Sequence, residues 1–548
     1  MISAMSGSTP SRVARRAGTA VLVVLTGLSL WPYLGSLGFG PMALDSVYWI
    51  VRGAVGSESW AAWTFGGPHF IGYRPLAAFS FSLTSVFAGL EPLAYRSFDL
   101  ALHAANGVMV YVVARRLGPA RPVWVAVLAA SLFLWHPAAE EVVPWLARRH
   151  NGLASLFSLL AIDRLLVARG RPLSPATGLG SAAWLGAAVL SNEVAFATAG
   201  VLPFLALTTR ERHESARVAL RRVAPAVGVA AAALILRVSR VGSIGGYALE
   251  DAGPERVGRV FVAFWRDLLA YAPQSLTGEL EEFALVAGLA SLAVLCVQSL
   301  RELRTRPWLA VLAGWLLAAS ALLALQQVWF PRELYALLPV FAFWVAFGLD
   351  GIVEAARGRL AGMAGAGVSI AWLGCLLLLS PVLRGPEPAR IAEWRETEAL
   401  LRDLDAGLAS LDGGGDVLLA LPYPAVARRD NPLRARPIRP GPPRATRIPV
   451  EWIGARHADR GFAVLDAIAF PEKSTDAPVE LGILEGGPAL RFPDSRTFFV
   501  LQAVAQNAPA RGSGIALADF PNPERRSRWL YLRTAGTGRI VVLPLPPE

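Results

Sequence analysis

The sequence predicts an all-α polytopic membrane domain of about eleven spanning helices, followed by a small α/β or β-rich soluble domain. Three observations carry this. The 548 residues are 54% hydrophobic and only 17% charged, too little charge to cover a soluble surface of that size. Apolar runs of membrane-spanning length recur from Thr19 to Ser380. Beyond Arg384 the long runs stop, and short strand-like segments alternate with turn residues.

The chain opens with MISAMSGSTPSRVARRAG, which carries Arg12, Arg15 and Arg16 ahead of an apolar run. No small-residue cleavage site follows the run, so it reads as a first spanning helix with residues 1–18 in the cytoplasm. Spans fall at roughly 19–37, 75–90, 98–114, 122–137, 152–167, 178–207, 223–238, 283–299, 308–325, 334–350 and 363–383. The sixth is long for one crossing and is interrupted by Ser191-Asn192-Glu193. In this scheme the arginines of 210–222, 301–306 and 357–359 face the cytoplasm, as expected of basic loops. Two short loops disagree: Arg115, Arg116 and Arg121, then Arg169 and Arg171, land outside.

Two external loops are long. Residues 38–74 mix Trp, Tyr and Phe into a mildly polar stretch suited to helices at the membrane interface. Residues 239–282 include the amphipathic piece FVAFWRDLLAYA. Residues 384–548 form the external soluble domain. It starts with an amphipathic helix over 388–411 and continues with strands at 416–421, 461–470, 497–504, 528–534 and 538–546. A Pro/Arg-rich linker, ARRDNPLRARPIRPGPPRATRIP, interrupts them.

Net charge is +11, yet Lys473 is the single lysine and no basic helix or aromatic-basic sheet is present, which argues against nucleic acid. Cys296 and Cys375 both lie in apolar segments, so neither a disulfide framework nor a thiolate metal site is expected.

Charged residues at the span boundaries are the candidate chemistry, since ions there need a cavity, a partner or the interface. Asp45 in the first external loop is placed to act as a base at the water–lipid boundary; read blandly, it is a solvated loop carboxylate. The segment WHPAAEEVVPWLARRHNGLASLF gathers His136, Glu140, Glu141, Arg148, Arg149 and His150, or is simply a hydrated loop. Its spacing matches no metal pattern. His103 and Asn106 share one helical face, where a structural hydrogen bond to a neighbouring helix is the leading reading. Glu193, deep in an apolar run, needs a partner, a cavity or a raised pKa. Arg332, Glu333 and Tyr335 begin a span from outside, within reach of an anionic headgroup.

In order, LDSVYWI, YRPLAAFSFSL, FDLALHAANGVMVYVVARRLG, LFLWHPAAEEVVPWLARRHNGLAS, LSNEVAFATAGVLPFL and RELYALLP resemble the GT-C glycosyltransferases. The nearest branch is the transmembrane and tetratricopeptide-repeat O-mannosyltransferases with their bacterial relatives. The resemblance covers about residues 19–350. It implies a polyprenyl-phosphate-linked sugar donor, an active site on the outer face, and a catalytic carboxylate in the first external loop, at Asp45. Three features depart from that pattern. Asp45 is followed by Ser46 rather than a second acid, Asn192 stands where relatives carry lysine, and no repeat of about 34 residues follows residue 384.

The resemblance implies an inverting glycosyl transfer to an acceptor hydroxyl of a protein or glycan, at the outer face of a bacterial inner membrane. Asp45 is the base and Arg74 and Arg332 stabilise the leaving phosphate. His103, Asn106, His136, Glu140, Arg148, Glu193 and Tyr335 complete the substrate-binding set. The residues leave room for a divalent metal, for which one Asp is a thin ligand set. The rival readings are a catalytically degenerate membrane scaffold and a lipid-linked saccharide transporter; the latter should show two similar halves, and none is visible.

Overall fold

The computed structural model describes residues 12–40, 60–67, 72–170, 175–211, 213–242, 254–270, 278–325 and 331–356, eight strands beyond residue 416, and scattered single positions. They fall into two compact units, Met1–Gly38 with Ser57–Glu393, and Phe39–Gly56 with Trp394–Glu548.

The first unit is helical. Its helices are α1 (Arg12–Leu30), α2 (Trp60–Phe65), α3 (Pro75–Ala88), α4 (Pro92–Leu117), α5 (Val123–Trp135), α6 (Arg149–Val167) and α7 (Pro175–Ser191). They continue as α8 (Phe196–Thr209), α9 (Ala216–Val241), α10 (Pro254–Ala270), α11 (Gly278–Arg301), α12 (Pro307–Leu325) and α13 (Leu338–Ala356). Proline opens α3, α4, α7, α10 and α12, a position where its missing N–H costs nothing. Ser215 caps α9 by accepting from the Val218 N–H at 3.3 Å, and Gly242, at φ 76°, closes it in the left-handed region. Four segments, Gly18–Ser36, Pro92–Leu117, Ala216–Val241 and Pro307–Ala324, are long and apolar enough to cross a membrane by length and composition. This is a multi-pass membrane bundle.

The bundle has two polar ends. At one, a basic rim, Arg116 pairs with Asp163, Arg169 donates to the Arg116 carbonyl, and Arg222 pairs with Glu214 at 2.6 Å. There too Arg121 and Arg306 meet Asp350 at 3.0 and 3.4 Å. At the other end Arg74, His150, Glu193 and Arg237 come together. Helices α1, α4 to α9 and α11 to α13 run between these ends in alternating directions. Close approach is built in: a Cβ added to Gly152 of α6 would sit 2.7 Å from Leu102 of α4, and Asn106 donates to the Gly152 carbonyl at 3.0 Å.

This geometry corrects the predicted spans in two places. Residues 75–90 do not cross. Arg74, ahead of α3, touches His150 at 3.1 Å, although the prediction set them on opposite sides. Farther along α3, Ser80 and Thr84 accept from Arg149, and Gly89 accepts from Tyr95 at the start of α4. The whole helix therefore stays at one end. Its apolar sequence serves packing against neighbouring helices instead of a crossing.

Residues 178–207, predicted as one span, form two antiparallel helices. Ser181 of α7 meets Ala161, and Asn192 meets Asn151, so α7 runs against α6. Thr198 of α8 meets Ser158, and Gly170 lies against the Glu214 that follows α8, so α8 runs with α6. With both corrections Arg115, Arg116, Arg121 and Arg169 join the basic rim, and the two discordant loops fall into line with the rest.

In the second unit the strands are β1 (Val417–Leu421), β2 (Phe462–Asp466), β3 (Glu480–Leu484), β4 (Gly487–Arg491), β5 (Phe498–Val500), β6 (Gln502–Val504), β7 (Trp529–Arg533) and β8 (Ile540–Pro544). One sheet has the order β6-β2-β1-β7-β8, with β1 parallel to β2 and β7 and the outer pairs antiparallel. The other is the antiparallel β3-β4-β5. Six strands fall on segments read as strands. β3 and β4 do not, because ELGILEGGPALR carries Gly and Pro where strand patterns are sought. The helix expected over 388–411, apart from the single helical position Arg402, the Pro/Arg-rich stretch and the span expected at 363–383 lie outside the described residues.

Candidate functional site: a guanidinium cluster at the bundle end

Arg74 occupies the N-cap position of α3, Arg148 that of α6, and Glu193 the turn 193–195 between α7 and α8. That turn is set by Asn192, whose side chain accepts from the Val194 N–H at 3.1 Å and donates to Asn151 on α6. Glu193 is thus aimed by its neighbour. Arg74 grips it with two parallel hydrogen bonds, Nη2 to Oε1 at 2.8 Å and Nε to Oε2 at 3.1 Å. Arg237, near the end of α9, donates to Oε2 at 3.5 Å.

Two guanidinium groups therefore converge on one carboxylate. Burial pushes that carboxyl up, but Arg74, its hydrogen bonds and Arg237 outweigh burial and hold it at about 2. The third nitrogen of Arg74, Nη1, lies 3.1 Å from His150 Nε2. A guanidinium only donates, so Nε2 accepts and the ring is neutral with its proton on Nδ1. Arg148 lies over the Trp145 ring at 5.5 Å, and both Arg148 and Arg332 are close enough to act on His150 through their charge. Arg332 sits in the turn 331–336 ahead of α13, its carbonyl bonded by Asn151 and its Nε 3.4 Å from Glu333. Helices α3, α6 and α8 all begin at this cluster.

Of the residues singled out from sequence, Arg74, Arg148, His150, Glu193 and Arg332 come together here. Tyr335 lies 2.9 Å from His103 Nδ1, while His103 Nε2 donates to the Leu134 carbonyl at 3.3 Å. Asn106 is a structural pin: its amide donates to the Leu102 and Gly152 carbonyls, as the bland reading holds. His136 accepts from the Ala138 N–H on Nδ1 and donates from Nε2 to the Leu268 carbonyl of α10, tying that helix to the bundle. Glu140 is buried close to Tyr33. Asp45 lies outside the described residues.

Arg237, not singled out from sequence, completes the cluster. Arg237 was legible as a cation near the end of an apolar run, LILRVSR, a placement that calls for a partner. Among the described residues no three His, Cys, Asp or Glu side chains group to hold a metal ion. The donor set around Glu193 is guanidinium and imidazole, which suits an anion rather than a cation.

No family model matches this chain. The Drosophila melanogaster protein O-mannosyl-transferase Tmtc1 is 39% identical over 90 residues, 16% of this chain and 10% of that protein. The Caenorhabditis elegans protein O-mannosyl-transferase F38B6.6 is 26% identical over 165 residues, 28% of this chain and 24% of that protein. The matches thus span a quarter or less of these relatives. Among solved structures, ArnT from Cupriavidus metallidurans bound to undecaprenyl phosphate has a TM-score of 0.47 at 14% identity, covering 75% of this chain and 83% of that one. On its sequence matches the chain resembles the O-mannosyltransferases of the GT-C superfamily, the group to which its ordered motifs point.

Proposed function

We propose that this chain is a membrane glycosyltransferase that takes a sugar from a polyprenyl-phosphate donor, with the Arg74–Arg237–His150 cluster as the phosphate site. The observation that carries the proposal is the convergence of guanidinium groups at one end of an apolar bundle. A lipid phosphate needs both features, cations for its headgroup and hydrocarbon for its stem. The bidentate grip of Arg74 on Glu193 displays the geometry that a phosphate would use.

In the transfer, the acceptor hydroxyl oxygen attacks the anomeric carbon while the bond from that carbon to the phosphate oxygen breaks. Asp45 takes the hydroxyl proton, and polyprenyl phosphate leaves with the electron pair, its charge held by Arg74 and Arg237. Arg148 and Arg332 flank the same end and attract the anion at longer range. Inversion, the nature of the acceptor, and an outer-face placement of this end follow from the resemblance and belong to the proposal.

Two substitutions test it in purified full-length protein. Arg74→Lys loses the two-pronged geometry, and each bond to a charged group contributes ~1.5–3 kcal/mol, so undecaprenyl phosphate should bind about ten- to a hundredfold more weakly. Asp45→Asn should bind the lipid normally yet lose ~10²–10⁴-fold in release of polyprenyl phosphate from a labelled donor. Equal turnover by wild type and Asp45→Asn removes the base role. No turnover by wild type across several donors favours the scaffold reading.

A further inference from the structure

Gly38 and Ser57 belong to the helical unit, yet Phe39–Gly56 between them belongs to the second unit, with Trp394–Glu548. The domain that carries the strands is therefore built from two segments far apart in the chain. The first of them is the loop that bears Asp45.

Within that loop the described positions Ser46, Tyr48, Trp49, Ile50 and Gly53 are helical. Ser46, Trp49 and Ile50 fall at i, i+3 and i+4, which is one helix face, and are 0%, 2% and 0% exposed. Tyr48, off that face, is half-buried, its ring edge-on to Trp49 at 6.0 Å. A helix face cannot bury itself: a fully buried side chain touches ~6–12 other residues, supplied by an element opposite it. Residues 39–56 are too few to fold back over their own Trp, so the cover comes from the rest of their unit. An aromatic lying at the membrane interface stays open on the bilayer side. Trp60, back in the helical unit, is 62% exposed in that way, and Trp49 is not.

We propose that Trp49 and Ile50 are positioning residues, which seat the first loop in the core of the strand-bearing domain, so that the folding of that domain sets the placement of Asp45. This rests on the reading of Asp45 as the base. The domain then governs the transfer step but not capture of the donor, because Arg74, Glu193 and Arg237 all belong to the other unit.

Two measurements on the full-length protein test it, and the first is blind to activity. Amide hydrogen exchange is followed by mass spectrometry through a urea series in detergent. Peptides covering 46–53 should lose protection together with β1, β2 and β7, at concentrations where α4 and α6 stay protected. Leu419→Pro removes a backbone donor from the middle strand, between Val464 of β2 and Tyr531 of β7, and should open the strands and residues 46–53 alike. Residues 46–53 that open with α4 and α6, or that stay protected in Leu419→Pro, overturn the proposal. Should that variant fail to accumulate, the wild-type series decides alone.

The second measurement is turnover. Trp49→Ala should bind undecaprenyl phosphate as wild type does while kcat falls ~10²-fold, the effect of a small misplacement of a reacting group. Trp49→Phe, which refills most of the apolar volume, should recover most of that loss. Wild-type turnover by Trp49→Ala, or a loss confined to donor binding, overturns the positioning role. Full turnover by Asp45→Asn would instead remove the base reading alone, with exchange still deciding where the loop is seated.

Discussion

The Arg149 side chain has no exposed surface, and every direction of its fork is used. It donates to Asp99 at 2.6 Å, the Ser80 carbonyl at 3.3 Å, Thr84 at 3.1 Å and the Tyr95 carbonyl at 3.0 Å, and lies over Phe81 at 4.2 Å and Phe98 at 4.5 Å. Arg149→Met should therefore destabilise the bundle by ~3–5 kcal/mol, because Asp99 stays buried and loses its ion-pair partner. Asp99→Leu added to Arg149→Met should recover most of that loss in a thermal unfolding series. Glu193 gives a test by pH. Its carboxyl, at about 2 in the fold, lies below the ordinary 4.5, so its stabilisation is complete above about 4.5 and is lost as pH falls toward 2. The gap in melting temperature between wild type and Glu193→Gln should be constant above that window and close within it. The sequence showed that Glu193 needs a partner but not which one, since Arg74 lies 119 residues away and only the packing of α3 on α7 joins them.

Helices explain where the sequence misled. The run at 75–90 is as apolar as a crossing, yet the structure uses that apolarity to seat a short helix on α4, α6 and α7. Hydropathy measures burial and does not distinguish hydrocarbon from protein. The discordant arginines at 115–121 and 169–171 were the legible sign of an error, and the interruption at Ser191-Asn192-Glu193 was the sign of the second. Epitope insertions after residues 119 and 170 should therefore be shielded in right-side-out vesicles, as should one after residue 211. An insertion after residue 144 should be accessible. Accessibility at 119 or 170 together with shielding at 211 would reinstate the original order of crossings.

Across the molecule, charge is sorted to the two ends of the bundle. The basic rim binds its arginines to Asp163, Glu214, Asp350 and Glu354, whereas the opposite end turns two arginines toward one carboxylate. That α3, α6 and α8 all begin at the latter end has a consequence beyond side chains. Each helix start carries roughly half a positive charge from its aligned peptide dipoles and first-turn N–H groups. At α3 and α6 the N-cap residue is an arginine that makes no capping bond, where Ser or Asp would ordinarily serve. The first-turn N–H groups of these two helices thus lack a side-chain cap, at a cost in stability. Arg148→Ser should expose that trade: a new cap adds about 0.5–2 kcal/mol to α6 and raises the melting temperature, while phosphate binding weakens. A protein that melts later and holds its lipid less tightly would show that part of its folding energy is kept in reserve for the ligand.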